Sequence, residues 1–291
     1  MFWITLALGS ALFLGLYDIS KKKALTGNAV LPVLFLVSLV CAIVLSPAFF
    51  LGKIPNLTPS QHLMLVLKAG IVSTSWIFTF NAVSRLPLSI TAPIRASAPV
   101  FTIFLAVSFM SERPSGWEWT GICISIASYL IMSIASRKET GHFFRNPWII
   151  SMFFGTFLGS VSGVYDKFLL QRMAFPPLAV QFYFNVYMVC IQGAAIAVIY
   201  FIHKRKTVPT KFEFRKIILI VGVLLVIADR FYFLALHDPN ALVSVVTVIR
   251  RSNVLISFAG GLFFFKEKKT PLKFVAMAGI LLGLACFAIR F

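Results

Sequence analysis

The chain has little charge and very little acid. Of its 291 residues only 12% are Asp, Glu, Lys or Arg, and nine carboxylates face 27 lysines and arginines. A water-soluble fold draws about a quarter of its residues from those four types, so a soluble globular class is excluded. Cysteine is scarce too. Cys41, Cys123, Cys190 and Cys286 lie inside apolar runs without metal-ligand spacing, which reads as small packing residues rather than a metal site or disulfide framework. The sequence lacks a Walker loop, a His-Glu-x-x-His pair and any cysteine cluster. No cofactor, metal or catalytic residue is expected, and the chain does not read as an enzyme. The net charge of +18 is spread over short connections. No polar domain is left to hold a duplex, so nucleic acid is not expected as a partner.

What the chain has is apolar length. Hydrophobic residues make up 59% of it, and a helix needs about 20 of them to cross a bilayer. Ten segments qualify: 2–20, 30–50, 63–83, 88–110, 116–135, 148–170, 177–201, 214–234, 240–264 and 271–289. The predicted fold class is therefore an all-α membrane protein with ten transmembrane helices and lipid as its surroundings. The first segment starts Met1-Phe2-Trp3, with no basic stretch before it and no small-residue cleavage site before Tyr17-Asp18. It reads as a retained helix rather than a signal peptide.

The two halves match each other. A shift of 155 residues puts Arg95 on Arg250, Ser97 on Ser252 and Glu112-Arg113 on Glu267-Lys268. A shift of 148 puts Tyr17-Asp18 on Tyr165-Asp166, and Ala7, Ala11 and Gly15 on Gly155, Gly159 and Gly163. Small residues at every fourth position let helices approach closely. The reading is an internal duplication, residues 1–140 and 141–291, of five spans each. Because five is odd, the second copy enters from the opposite face, giving two inverted five-helix repeats. Such repeats mark secondary transporters, with the substrate near the midplane between them.

Three arginines sit where that site should be. Arg95 lies between Pro93 and Pro99, which should distort span four, and Arg250 and Arg251 are adjacent in span nine. A guanidinium stays charged, and placing one in hydrocarbon costs about 3 kcal/mol even on insertion scales. An anionic guest would offset that cost, since the guanidinium fork fits carboxylate or phosphate. On a continuous helix Arg250, Asn253 and Ser257 share one face and Arg251 points elsewhere. Asp229 in span eight is either a fixed ion-pair partner for an arginine or a carboxylate that takes part in coupling. Asp18 and Asp166, near the ends of spans one and six, are either helix-end ion pairs (Lys21 and Lys22 follow Asp18 at helical spacing) or a matched pair of gating residues. Lys68, five residues into span three, reads as a snorkelling side chain without a role.

The ten spans, the five-plus-five duplication and the Glu112-Arg113 and Glu267-Lys268 pairs closing spans four and nine resemble the EamA family of the drug/metabolite transporter superfamily. The resemblance covers essentially the whole chain. It implies a ten-helix basket with alternating access, helices five and ten at the periphery, and a place in the plasma (bacterial inner) membrane. Arg95 together with Arg250-Arg251 is similar to the triose-phosphate translocator branch, whose phosphate site uses one basic residue on helix four and two on helix nine. By that likeness Thr79 and Tyr232 would supply hydroxyl ligands. The chain departs from the branch in having arginine where it has lysine at some positions.

The expected function is secondary transport of a small organic anion or metabolite. The alternatives are an exporter of neutral or zwitterionic amino acids, a lipid-phosphate flippase, and a membrane scaffold without transport. Proton coupling and a homodimer are left open. Counting by alternating connections, seventeen basic residues fall on the side of connections 1–2, 3–4, 5–6, 7–8 and 9–10, and six on the other. The positive-inside rule then puts both termini outside, whereas the family resemblance implies both inside. In a cysteine-free background with one cysteine added at a terminus, the charge count predicts labelling of intact cells by a membrane-impermeant thiol reagent. Labelling only after lysis supports the opposite orientation.

Overall fold

The computed structural model describes residues 2–85, 94–95, 97–135, 146–202, 211–253, 255–256 and 271–288. Ten α-helices account for most of them: α1 Phe2–Leu25, α2 Val30–Phe50, α3 Pro59–Arg85, α4 Ala98–Met110, α5 Gly116–Ala135, α6 Pro147–Lys167, α7 Pro177–Ile202, α8 Ile217–His237, α9 Val243–Arg251 and α10 Pro271–Ala288. Each falls on one of the ten predicted spans. Six helical segments are long and apolar enough to cross a membrane: α1, α2, α3, α6 with its extension, α7 and α8. The apolar stretches of α4 and α10 are shorter.

Local chemistry sets several boundaries. Asn146 caps α6 by accepting the Trp148 N–H at 3.0 Å, with Pro147 at the first turn, where a missing N–H costs nothing. The far end of α6 widens into a π-turn, Phe168–Arg172, and the chain leaves it through Ala174 at φ +52. At the end of α4, Ser111 takes the left-handed conformation (φ +55), and the Glu112 N–H reaches back to the Ala106 carbonyl. That closure turns Glu112 inward.

The matched Ile-Arg-x-Ser sequences make the same turn. The Ser97 N–H and hydroxyl both donate to the Ile94 carbonyl (3.1 and 2.6 Å), and the Ser252 N–H and hydroxyl donate to the Ile249 carbonyl (3.0 and 2.7 Å). Bonds to the third residue back tighten the helix and interrupt its regular ladder. The distortion expected from the prolines beside Arg95 thus centres on Ser97, with α4 resuming at Ala98 and Pro99 in its first turn. Pro93 lies outside the described residues. Span nine is interrupted at one residue: α9 ends at Arg251, Ser252 makes the turn with helical φ and ψ, and Asn253, Leu255 and Ile256 are again helical.

Helices pair across the two halves. α1 packs on α8 and α3 on α6. α2 packs on α8 and α3 on α7. α1 meets α9, and α6 meets α4. Adding five to each helix number, modulo ten, exchanges the members of each of these couples. The α2–α7, α4–α9 and α5–α10 contacts map onto themselves. The small-residue stripes explain the closest seams. Ala7 and Ala11 are fully buried, and a Cβ on Gly15 would lie 2.6 Å from Ile256. Serines bridge the same seams, Ser10 to the Ala228 carbonyl (2.8 Å) and Ser75 to the Gly155 carbonyl (2.7 Å). Hydroxyl bonds of this kind replace the hydrophobic drive that lipid cannot supply.

The α3–α6 seam predicts a pair of opposite outcomes. A Cβ on Gly155 would stand 2.5 Å from Thr79 Oγ1 and 2.9 Å from the Ser75 carbonyl, whereas one on Gly70 meets nothing within 4 Å. Gly155→Ala is expected to lower thermal stability by about 1–3 kcal/mol through overpacking. Gly70→Ala should raise it by up to about 1 kcal/mol from helix propensity. Thermal unfolding in detergent reads both.

Candidate functional site

Among the described residues, three groups of charged side chains inside the bundle stand out; Glu118 of α5 and the partly buried Arg230 of α8 lie outside them. The first gathers around Asp18 on α1. Its carboxylate accepts from Lys21 Nζ at 2.7 Å and from Asn253 Nδ2 at 2.6 Å. It also lies in the Coulombic field of Arg95 and Arg251. Arg251 in turn feels the charges of Arg95, Asp18 and Arg250. The Lys21 ammonium sits over the rings of Tyr17 (4.5 Å) and Phe80 (5.5 Å). Because α1 runs on to Leu25, Asp18 is well inside the helix rather than at its end.

The second group runs from α9 to α3. Arg250 is ion-paired with Asp229 and stacks its guanidinium over the Tyr232 ring at 4.1 Å. The Tyr232 hydroxyl donates to Asp166 Oδ2 at 3.3 Å. Asp166 Oδ1 holds Lys68, whose side chain is only 2% exposed. The Asp229–Arg250 ion pair is present in this structure, and both sequence readings of Asp229, fixed partner and coupling carboxylate, contain it. Lys68 does not snorkel: it is buried against Asp166 and flanked by the rings of Phe184 (4.3 Å) and Phe233 (5.3 Å).

The third group is a closed tie. Lys167 Nζ donates to Glu112 Oε1 at 2.6 Å and to the Ala241 carbonyl at 3.0 Å. Glu112 also accepts the Val243 N–H (2.6 Å), the Ser244 N–H (3.2 Å) and the Ser244 hydroxyl. A carboxylate is well placed at a helix N-terminus, where amide donors and the helix dipole both favour it. Gln171, carried by the π-turn, donates to the carbonyls of Leu236, Asp238 and Ala241 at 2.7–3.2 Å. This tie joins the end of α4 and the end of α6 to the α8–α9 connection.

The predicted site residues therefore divide. Arg95, Arg251, Asp18 and Asn253 share one neighbourhood, and Arg250, Asp229, Tyr232 and Asp166 share the next. Arg250 and Asn253, expected on one face, reach Asp229 of α8 and Asp18 of α1, two helices that pack on each other. Ser257, Glu267 and Lys268 lie outside the described residues. Thr79 stands apart: its hydroxyl donates to the Ser75 carbonyl of its own helix at 2.7 Å, and it packs against Gly155. Sequence reasoning missed Lys68, Lys167 and the role of Glu112. The available signal was that two lysines and a glutamate fall inside or beside apolar spans. Taking Lys68 and Lys167 out of the loop count leaves four basic residues on that side against seventeen on the other.

In the first two groups, five cations (Lys21, Lys68, Arg95, Arg250, Arg251) meet three carboxylates (Asp18, Asp166, Asp229). Among the described residues of these two groups two positive charges are therefore in excess, and they belong to Arg95 and Arg251. A separate cavity of about 880 Å³ lies at the rim between Phe2 and Leu6 of α1, the π-turn and the end of α8. None of the arginines above lines it.

Comparison with known proteins agrees with this architecture. Residues 1–134 match the EamA-like transporter family. The match does not single out the triose-phosphate branch. Among 29 similar chains of solved structures, one, described only as the crystal structure of a protein, covers 99% of this chain and 99% of its own. Its TM-score is 0.75 at 13% sequence identity, a likeness of fold alone. No curated protein matches the sequence.

The Glu112 tie yields a stability prediction. Glu112→Gln leaves Lys167 buried without its carboxylate, and removing one partner of such a pair costs about 3–5 kcal/mol. Adding Lys167→Met should restore part of that loss. The midpoint of thermal unfolding in detergent decides it, and equal midpoints for wild type and Glu112→Gln would contradict the role given to the tie.

Proposed function

We propose that this chain, whose residues 1–134 match the EamA-like transporter family, is a multi-pass secondary transporter of a small organic anion. The binding groups are Arg95 and Arg251. The observation that supports this reading is the two-charge positive excess at those arginines among the described residues, and the match of residues 1–134 to a transporter family points the same way. Uncompensated cations at mid-depth are costly, and a carboxylate, phosphate or sulfate would offset them with bidentate hydrogen bonds. Arg250 plays a different part. Held by Asp229 and the Tyr232 ring, it sets the field around the site and is free to meet a guest only if Asp229 lets it go.

Alternating access on this fold follows from the cross-half pairings. One body comprises α1, α2, α8 and α9, the other α3, α4, α6 and α7, and each draws on both halves of the sequence. That exchange of partners also supports the inverted duplication over residues 1–140 and 141–291. Rocking of these mixed bodies, rather than of the two halves, would open and close the ends. The Glu112–Lys167–Gln171 tie bridges them on the α8–α9 side, the side closed in this conformation by direct hydrogen bonds.

A second reading rests on Asp18. A carboxylate in the field of Arg95 and Arg251 suits a zwitterion, with its ammonium on Asp18 and its carboxylate on an arginine. A thermal-shift screen of purified protein against phosphate, sulfate, dicarboxylates and neutral amino acids separates the two. Anions alone should stabilise the wild type, and Arg95→Gln and Arg251→Gln should each weaken that binding tenfold or more, about 1.4 kcal/mol or above. Stabilisation by amino acids that Asp18→Asn removes would favour the zwitterion. Anion binding and liposome uptake unchanged in both arginine variants would overturn the proposal.

A further inference from the structure

We infer that Asp166 is a proton-binding site linked to the anion site, so that a proton travels with the anion as a symported ion. The inference rests on the anion reading above. It starts from a group that reading does not use: the Lys68–Asp166 pair, a lysine about 14 Å into α3 at 1.5 Å per residue against a carboxylate that is 4% exposed. Nothing in the packing of three helices requires an ion pair there, and replacing such a pair with apolar residues often stabilises a fold.

The surroundings suit a carboxyl that changes protonation. From α3 Asp166 faces Lys68. From α8 it faces the Tyr232 hydroxyl and the charge of Asp229, and from α9 the charge of Arg250. On its own helix, Tyr165 donates to the Met64 carbonyl and Lys167 is turned to Glu112. A tyrosine hydroxyl both donates and accepts. When Asp166 is ionised, Tyr232 donates to it. When Asp166 is protonated, its O–H donates to Tyr232 and no hydrogen bond is lost. Lys68 keeps its bond to the other carboxyl oxygen, and the Phe184 and Phe233 rings hold its charge by cation–π attraction. Protonation therefore leaves Lys68 its hydrogen bond and ring contacts but removes its counter-charge, and the cluster gains one positive charge that a bound anion would offset.

That added charge is felt along the line Asp166–Tyr232–Arg250 and on to Arg251. Protonation of Asp166 raises anion affinity, and a bound anion raises the proton affinity of Asp166 by the same factor, as linkage requires. The balance is simple: one proton enters with the anion from one side, both are released on the other, and no covalent bond to substrate forms.

The test uses purified full-length protein and sulfate, a dianion that does not itself titrate near neutral pH. Sulfate affinity should rise as pH falls, by up to about tenfold per unit for one linked proton. The slope should vanish in Asp166→Asn and persist in His62→Gln, which removes a histidine of the same helix as Lys68. If Asp166→Asn folds poorly, the neutral pair Lys68→Met/Asp166→Asn should fold and also show no slope. Infrared pH-difference spectra without any anion should contain a carboxylic-acid band that Asp166→Asn removes. A slope that survives in both Asp166 variants, or a flat slope in the wild type, overturns the linkage. Absence of sulfate binding at every pH counts against the anion site instead; the infrared band then decides the proton site by itself, its absence sinking the inference.

Discussion

A charge inside a bilayer has to be answered by another charge, and that requirement organises this protein. Each buried cation of the second and third groups has its own carboxylate: Lys68 has Asp166, Arg250 has Asp229, Lys167 has Glu112. Around Asp18 the rule is incompletely met. One carboxylate there is shared by Lys21, Arg95 and Arg251 among the described residues, and on that shortfall the proposed anion site rests. The same requirement explains why the pairs are spread over α1, α3, α4, α6, α8 and α9. Partners on different helices tie those helices to one another as well as neutralising charge.

Packing and electrostatics meet at the turns. Ser97 and Ser252 break their helices next to Arg95 and Arg250-Arg251, so the arginines sit where the backbone is least regular. Freed carbonyls at mid-depth are tolerated only beside protein or water, and the crossing of α4 with α9 supplies that shelter. The small-residue stripes of α1 and α6 then bring α8 and α3 close enough for short polar side chains to bridge. Gly15 and Gly155 work through the space they leave for Ile256 and Thr79.

Much of this was legible in the sequence, and the failures have physical causes. The positions of the ten described helices follow from apolar length, because a bilayer asks the same apolar thickness of every span; six of the described segments reach that length. The halves matched at Arg95 and Arg250, and the two serines that follow make the same hydrogen bonds. The Arg250–Asp229 pair was one of two readings open from sequence, because the two residues lie on successive helices. Lys68 was misjudged since its partner is 98 positions away and leaves no local trace; a lysine near the start of a span reads as one that reaches for water. The one-residue turn between Arg250 and Asn253 was not legible either. Helical periodicity assumes an unbroken helix, and the hydroxyl of Ser252, which closes the turn, gives no periodic signal.

The pairing of α1 with α8 and of α3 with α6 has a consequence for how the protein is made. When Lys68 enters the membrane its carboxylate has not yet been synthesised. At roughly 5–20 residues per second, the 98 intervening positions take about 5–20 s to emerge from the ribosome. For that interval the early helices hold cations without counter-charges and small-residue faces without neighbours. The nascent half-protein must then be sheltered by the insertion machinery or by lipid headgroups until its second half arrives, and its assembly is complete only near the end of translation.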